Sequence, residues 1–482
     1  MSPLRLTARL SIAKCFSARS RTVSQYREEV ERAGKLADGG EPDAAMEICN
    51  KVLLDEPDNP GALYVVGTVL LHSARHAQAI QIAKRLTEIR PKGPLGWSLL
   101  TALYCELHRY DESIRYAEKA LACRRDAKTL ADMGYAHVNA GNWEIGARYA
   151  QEALKLAKGD DSQRAREAAK DSLIHLVYCQ LATKNWKSGF EGYRLTMRTK
   201  WRKEWTYGDS QEWQGEPDAV VMVTGEQGLG DEIMAASVVP DAANACKRFI
   251  LDCDHRLGAL FQRSFPNVVV TPTRRSDTVY LDPEKTPAPT HHKSLFGLSE
   301  LFRREDGDFP RKPFLVPNPD YVRMFRGLFD GKRTIGLAWS GGFPRTGLEP
   351  RTAGLNAFLP LLRREQAQFV SLQYKDDSRE VEEFAKAHGI SLIRLPWVAM
   401  DDDMDLRAGM IAALDEVIGV HTTTLHISSA LGVPTTILTH RGSGWRYGPD
   451  ELLWYPPTTK LHKKRTGESW RECVGRLVED RK

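Results

Sequence analysis

The sequence predicts an all-helical solenoid followed by an α/β region of two successive strand–helix layers. Three observations carry this. In the first half, residues recur at a fixed step. Pro57 and Pro91 lie 34 apart, Ala45, Ala79 and Ser113 step by 34 with Gly146 following at 33, and Gly67, Thr101 and Gly134 keep the same rhythm. In the second half, short apolar runs alternate with helical patterns, as parallel sheets require. Between the two, the run Val221 to Ile233 passes from an apolar strand through Gly225, Gly228 and Gly230 into the acidic pair Asp231-Glu232 that opens a helix.

Each repeat has a large residue early (Leu63, Trp97, Leu130), then a small one, then a second helix with small residues turned inward. Small residues at matched positions let two helices of a hairpin approach closely, and a proline stops the second helix. This pattern resembles the tetratricopeptide repeat. The clearest units are Pro60–Pro91 and Pro94–Arg125, flanked by Tyr26–Asp58 and Ala127–Asp160. A further helical pair, Arg164–Thr183 and Trp186–Lys200, closes the array. Thr101 stands where glycine is usual and Arg125 where proline is usual. In a stacked array one such change costs little, because each unit is held by its neighbours. Such arrays present a groove for a peptide or protein, or only pack on the next domain.

Charge restricts the partners. The chain has 482 residues and a net charge of +5, but residues 1–27 hold six basic residues and no acid, which leaves the rest near neutral. That balance argues against a nucleic-acid binder. Residues 1–25 read as a basic, disordered tail, although the composition also resembles an organelle transit peptide. No apolar run is long enough to cross a bilayer. The eight cysteines are scattered without a Cys-x-x-Cys pair, so they read as small core residues of a reducing, cytoplasmic setting rather than a zinc or redox site.

Residues 201–217 read as a linker that plugs the array into the next domain. The first layer (218–318) has candidate strands at Ala219–Thr224, Arg248–Asp252, Val268–Val270 and Thr278–Leu281. The second (319–482) has them at Thr334–Ala338, Phe369–Gln373, Leu392–Leu395, Glu416–Val420 and Thr435–Leu438. Ligands of parallel sheets bind at the carboxyl ends of strands. The residues there are Gly225–Asp231 in the first layer, and Trp339-Ser340-Gly341-Gly342, Gln373-Tyr374 and His421-Thr422-Thr423-Thr424 in the second. The glycine turn has neither Gly-x-Gly-x-x-Gly spacing nor the Lys-Ser/Thr of a phosphate loop. Taken alone it serves equally as a tight turn capped by Asp231 or as a site with a carboxylate base. Glu226 orients Asp231 or caps the helix. His291-His292 read as surface residues, Asp401–Asp403 as a solvated loop, and Trp445 and Trp454 as core, with Arg446 beside them able to face the cleft.

These strand ends, taken in order, resemble a known family. Gly225-Glu226-Gln227-Gly228-Leu229-Gly230-Asp231-Glu232, then Gly336–Gly341, Arg351, Ser371-Leu372-Gln373, Ala413–Ile418, Thr422–Pro434, Trp445-Arg446-Tyr447 and Trp454-Tyr455-Pro456 are similar to the motifs of tetratricopeptide proteins with a glycosyltransferase-family-9-like domain. These are relatives of lipopolysaccharide heptosyltransferases. The resemblance spans roughly residues 26–475. It implies a GT-B fold of two Rossmann-like halves with a nucleotide-sugar donor between them, no metal and no further cofactor. It implies Asp231 as general base and Thr422, Thr423 and Thr424 on the donor pyrophosphate. His421, His426, Trp339, Ser340, Gly341, Gln373 and Arg351 complete the donor site, although His426, inside an amphipathic helix start, reads equally as a satisfied core histidine, and Arg351 or Arg345 adds positive charge. Where relatives have Asp before the Thr-rich helix, this chain has His421. The expected activity is metal-independent, inverting sugar transfer to a protein or glycan acceptor placed by the repeats. The alternative is a non-catalytic scaffold with a degenerate transferase-like domain.

Overall fold

The computed structural model describes residues 26–195, 207–225, 228–273, 286–341, 351–399, 402–448 and 450–481. The chain divides into two compact units after Leu103. In the first, α1 (Arg27–Gly39) packs on α2 (Pro42–Asp55) and α3 (Pro60–His72) on α4 (His76–Ile89). Ala45 and Ala79, the residues of the 34-step, are fully buried in α2 and α4. Thr101, on α5 (Pro94–Glu106), gives its hydroxyl hydrogen to the Trp97 carbonyl of its own helix, which explains how a polar residue replaces glycine there.

The second unit continues the array with α6 (Tyr110–Cys123), α7 (Ala127–Asn139), α8 (Trp143–Ala157), α9 (Gln163–Ala182) and α10 (Trp186–Leu195). Arg125, in the place of proline, pairs with Glu152 instead. One local device recurs in every hairpin turn. Gly40, Ala74, His108, Gly141 and Lys184 all take positive φ, between 55° and 89°. The next residue's N–H then bonds back to a carbonyl five positions earlier: Glu41 to Leu36, Arg75 to Leu70, Arg109 to Tyr104, Asn142 to His137, Asn185 to Gln180. This left-handed cap satisfies the last carbonyls of the first helix and reverses the chain. At the three non-glycine positions it costs about 1–2 kcal/mol.

Among the described residues, the α/β region holds two five-stranded parallel sheets. The first contains β1 (Gln211–Glu212), β2 (Val220–Thr224), β3 (Arg248–Asp252), β4 (Val269–Thr271) and β5 (His291–Ser294), ordered β1-β5-β2-β3-β4. The second contains β6 (Thr334–Ala338), β7 (Gln368–Ser371), β8 (Glu416–Val420), β9 (Thr435–Thr439) and β10 (Thr459–Lys463), ordered β10-β9-β8-β6-β7. A parallel bridge from Val370 to Ile393 adds a rudimentary strand beyond β7. Counted within each sheet, β4-β3-β2-β5 runs 3-2-1-4, and the second sheet with its bridge runs 3-2-1-4-5-6. Both are doubly wound Rossmann orders. Their switch points lie between β2 and β5 and between β6 and β8.

Several expectations need correction. Residues 207–217 are more than a linker: they supply the edge strand β1 and the fully buried Trp213. His291 and His292 lie in β5, and His292 is buried, its Nδ1 bonded to the Ser210 hydroxyl at 2.9 Å. Short polar strands of this kind carry no apolar alternation, so periodicity passes over them, as it did β10. Leu392–Leu395 is reduced to the single bridge at Ile393. The expected strand Thr278–Leu281 lies outside the described residues.

The last hairpin shares a core with both sheets. Trp186, Phe190 and Tyr193 of α10 contact Phe296, Phe309, Trp445 and Trp454, with ring centroids 5.0 to 6.3 Å apart. The Trp186 indole N–H also donates to Asp306 at 2.6 Å. Trp445 and Trp454 are core residues, as the sequence suggested. Elsewhere the halves are tied by the buried Asp405, which pairs with Arg263 through both oxygens. Of the cysteines within the described residues, Cys49, Cys105, Cys179, Cys253 and Cys473 are buried and form no disulfide. Burial pushes the Cys105 and Cys179 thiols up to about 12 and those of Cys49, Cys246 and Cys473 to about 11.

Trp454→Ala should cost about 3–5 kcal/mol. In urea, fluorescence of the α/β region and helical circular dichroism should then shift together. Helix loss that leaves the sheets' transition in place would show that the last hairpin is not part of their core.

Candidate active site

The strand-end motifs meet where the two halves face each other. β2 ends at Thr224, Gly225 follows, and α11 (Leu229–Ala235) begins within a few residues. Glu226 and Gln227 of the turn lie outside the described residues. Opposite, β8 ends at Val420, His421 and Thr422 form the turn, and the helix Thr423–Leu431 starts at once. The two helix starts touch. A Cβ at Gly230 would stand 2.8 Å from His426 Cδ2 and 3.6 Å from Thr423 Cα. Only glycine allows this approach. Gly228, by contrast, has open space around it.

Asp231 is therefore brought to the Thr-rich helix, and its partner is Arg446, 2.7 Å away on the short helical turn Trp445–Tyr447. The guanidinium lies over the rings of Trp445 and Phe296, 4.8 and 5.3 Å from their centroids. Burial, the largest single influence, disfavours its charge, but the Asp231 carboxylate together with Tyr193, Tyr178 and Tyr447 outweighs it, and the Arg446 pKa is raised. The sequence placed Arg446 beside the cleft. Its pairing with Asp231, 215 positions away, has no local signal. The neighbouring Glu232 is buried and accepts from the Asp254 N–H at 2.9 Å, which fixes the turn after β3.

The helix Thr423–Leu431 starts without a side-chain cap from Thr422. Free N–H groups at a helix start, with its positive dipole end, favour an anion. Three polar atoms around it are buried and lack partners among the described residues: Thr422 Oγ1, His421 Nδ1 and Arg351 Nε. Buried polar groups are nearly always satisfied in folded proteins, so open ones clustered at a strand end are candidates to hold a water or a ligand. Arg351 donates from Nη2 to the His421 carbonyl at 2.8 Å, and its own carbonyl accepts from the Gly341 N–H at 3.1 Å. Gly341 packs against Thr422 so closely that a Cβ would lie 2.3 Å from its Cγ2. The β6 and β8 ends thus form one surface at the switch point.

The histidines are neutral here. Burial, followed by Arg351 and His440, holds the His421 pKa well below its usual value. The ring bonds the Leu438 backbone and contacts Tyr447 and His440, with centroids 4.8 and 6.0 Å away. His426 is lowered to about 4 by burial. Both its nitrogens are taken, Nδ1 by the Tyr455 hydroxyl at 2.6 Å and Nε2 by the Tyr447 hydroxyl at 2.9 Å. Of its two readings, this is the geometry of a satisfied core histidine, with no nitrogen left for a donor.

Two further expected donor contacts serve the scaffold. Trp339 is buried and donates its indole N–H to Glu380 at 2.8 Å. The Gln373 amide, turned so that both its groups are satisfied, accepts from the Trp339 and Ser340 N–H groups at 2.9 and 2.8 Å and donates to the Ser340 carbonyl at 3.0 Å. It braces the β6 loop that carries Ser340 and Gly341. A void of about 10 Å³, roughly one water, lies between Gln373, Thr424 and Arg407. Gly342 and Arg345 lie outside the described residues. Asp403 caps the helix Met404–Ala412 by accepting from the Asp405 N–H.

Comparison with known proteins agrees with the repeat reading. A tetratricopeptide-repeat family profile matches residues 36–103. The protein FlbA of Caulobacter vibrioides is 24% identical over 461 residues, which cover 91% of this chain and 75% of that protein. Among solved structures, a family 9 glycosyl transferase from Veillonella parvula is 12% identical, with 56% of this chain and 98% of that chain covered and a TM-score of 0.40. The E. coli ADP-heptose lipopolysaccharide heptosyltransferase II is 14% identical, with 54% and 98% covered and a TM-score of 0.39.

Two outcomes follow from the geometry. Gly230→Ala should lower stability by about 1–3 kcal/mol, because His426 is locked by two hydroxyls and cannot give way. Gly228→Ala should be nearly silent. Equal melting temperatures for the two variants would contradict the close approach. The second outcome concerns pH. His175, His426 and His440 have folded pKa values lowered to about 4 by burial, against about 6.5 unfolded. The unfolded chain therefore binds more protons between these values. Stability is full above pH 6.5 and falls towards pH 4, by up to about 1.4 kcal/mol per unit for each ring. A melting temperature unchanged from pH 7 to pH 5 would count against neutral buried rings.

Proposed function

We propose that this protein is a metal-independent glycosyltransferase that moves a sugar from a nucleotide-sugar donor, with inversion, to an acceptor brought by the repeats. The observation that carries the reading is the close approach of the Gly230-Asp231 turn to the uncapped Thr423 helix start, each at the carboxyl end of a Rossmann-like sheet.

Glycosyl transfer places growing negative charge on the leaving diphosphate. The open N–H groups at Thr423 and Thr424, the Thr422 hydroxyl and the Arg351 guanidinium are suited to that charge. Inversion needs a base on the opposite face of the sugar, and Asp231 comes from the opposite half. Arg446 then acts as a positioning residue that fixes the Asp231 carboxylate. The change from Asp to His421 keeps one property that a donor site needs. A neutral imidazole bonded through its other nitrogen presents Nδ1 as an acceptor, as a carboxylate would, for a hydroxyl of the donor. On this reading the donor enters as the halves separate, a hinge motion common in two-domain enzymes.

A second reading, a repeat scaffold without catalysis, draws on the two tyrosine hydroxyls that occupy His426 and on the small void. Asp231→Asn separates the two readings, since an amide can still bond Arg446. On the transferase reading, sugar transfer, followed by mass spectrometry of acceptors in a co-incubated lysate, drops by about 10²–10⁴-fold. The rise in melting temperature given by the donor persists. Undiminished transfer overturns the base assignment, and no thermal shift with any nucleotide sugar favours the scaffold.

A further inference from the structure

A separate pocket of about 340 Å³ opens between the α5–α6 turn of the repeats and the loops that follow β9 and β10. Its volume is that of a small-molecule site. One wall is the left-handed turn at His108, followed by Arg109. The other is His440 after β9, and Lys464, Arg465 and Thr466 after β10, with Trp470 at the rear. This is the carboxyl edge of the second sheet, the side on which doubly wound folds bind ligands.

The walls are fixed before any ligand arrives. Arg441 crosses from the β9 loop to the repeats, donating to Asp111 at 2.9 Å and to the carbonyl of Ala140. Arg109 takes Glu112 through two bonds. His108 donates to or accepts from the Tyr110 hydroxyl at 2.8 Å, and its ring faces His440 at 6.1 Å. Both acids in the lining are thus engaged. Lys464 rests over the Trp470 ring at 5.7 Å, and neither it nor Arg465 has a carboxylate within ion-pair distance among the described residues. Two cations that form no direct ion pair, with Glu472 and Glu468 only at longer electrostatic reach, therefore face one preformed cavity, beside a hydroxyl.

We propose that this pocket binds a small phosphomonoester. Two unit charges match a phosphate dianion, the Arg465 fork suits two of its oxygens, and Lys464 and Thr466 supply the remaining donors. The site is distinct from the Thr422–Thr424 helix start, and its occupancy does not depend on the transferase reading. A ligand there would touch both the repeats and the second sheet.

The test uses calorimetric titration of the full chain with inorganic phosphate and with ribose 5-phosphate, and with ribose as the uncharged control. Saturable binding of both phosphates that weakens with salt, and none of ribose, is expected. The double variant Lys464→Ala/Arg465→Ala should weaken it at least tenfold, whereas Thr422→Val should leave it unchanged. No saturable phosphate binding, or binding unaffected by the double variant, overturns the proposal. So does loss in Thr422→Val alone, which would assign the phosphate to the helix start instead.

Discussion

The arrangement of this molecule depends on one aromatic cluster, formed by the last repeat hairpin, the first sheet's β5 turn and the tail of the second half. Trp186, Phe190 and Tyr193 arrive from the repeats, Phe296 and Phe309 from the first half, Trp445 and Trp454 from the second. Burying such rings is worth several kcal/mol in total, and their edge-to-face contacts fix relative orientation as well as proximity. Arg446 is the residue after Trp445. The packing of that indole therefore sets where the guanidinium stands, and the guanidinium sets where Asp231 stands. A hydrophobic constraint is thereby converted into the position of a charged group at the candidate site.

The same logic explains why the two halves fit so tightly. Gly230 against His426 and Gly341 against Thr422 are backbone approaches that any side chain would block. The two tyrosine hydroxyls hold the His426 ring as a rigid surface for the first of them. The open polar atoms of His421, Thr422 and Arg351 lie next to these close contacts rather than within them. The site is thus framed by groups whose own bonds are complete, which is how a fold holds unsatisfied groups in place without collapsing onto them.

Much of this was legible from the residues. The 34-residue step located the helical units because each repeat solves the same packing problem, so the same small residues return. The strands β2, β3, β6, β8 and β9 were legible because buried parallel strands are continuous apolar runs. The glycine turn and the Thr-rich helix start could be assigned to opposite faces of a cleft from topology. What escaped was of two kinds. The strands β1, β5 and β10 are polar and short, so their burial comes from neighbours and not from their own pattern. The partner of Asp231 and the two hydroxyls on His426 arise from contacts between residues tens to hundreds of positions apart, which no local spacing encodes. His426 was ambiguous for the same reason: its role depends on Tyr447 and Tyr455, whose approach is a property of the whole fold.

The cysteines carry a last consequence. A thiol reacts as its thiolate, and five of these residues are held neutral by burial, across both compact units. Cys49, Cys105, Cys179 and Cys473 are buried as well, and become reactive when their own surroundings open, so their alkylation rates form a set of built-in clocks. Read residue by residue, they report how often each region of repeats and sheets breathes, without any added label.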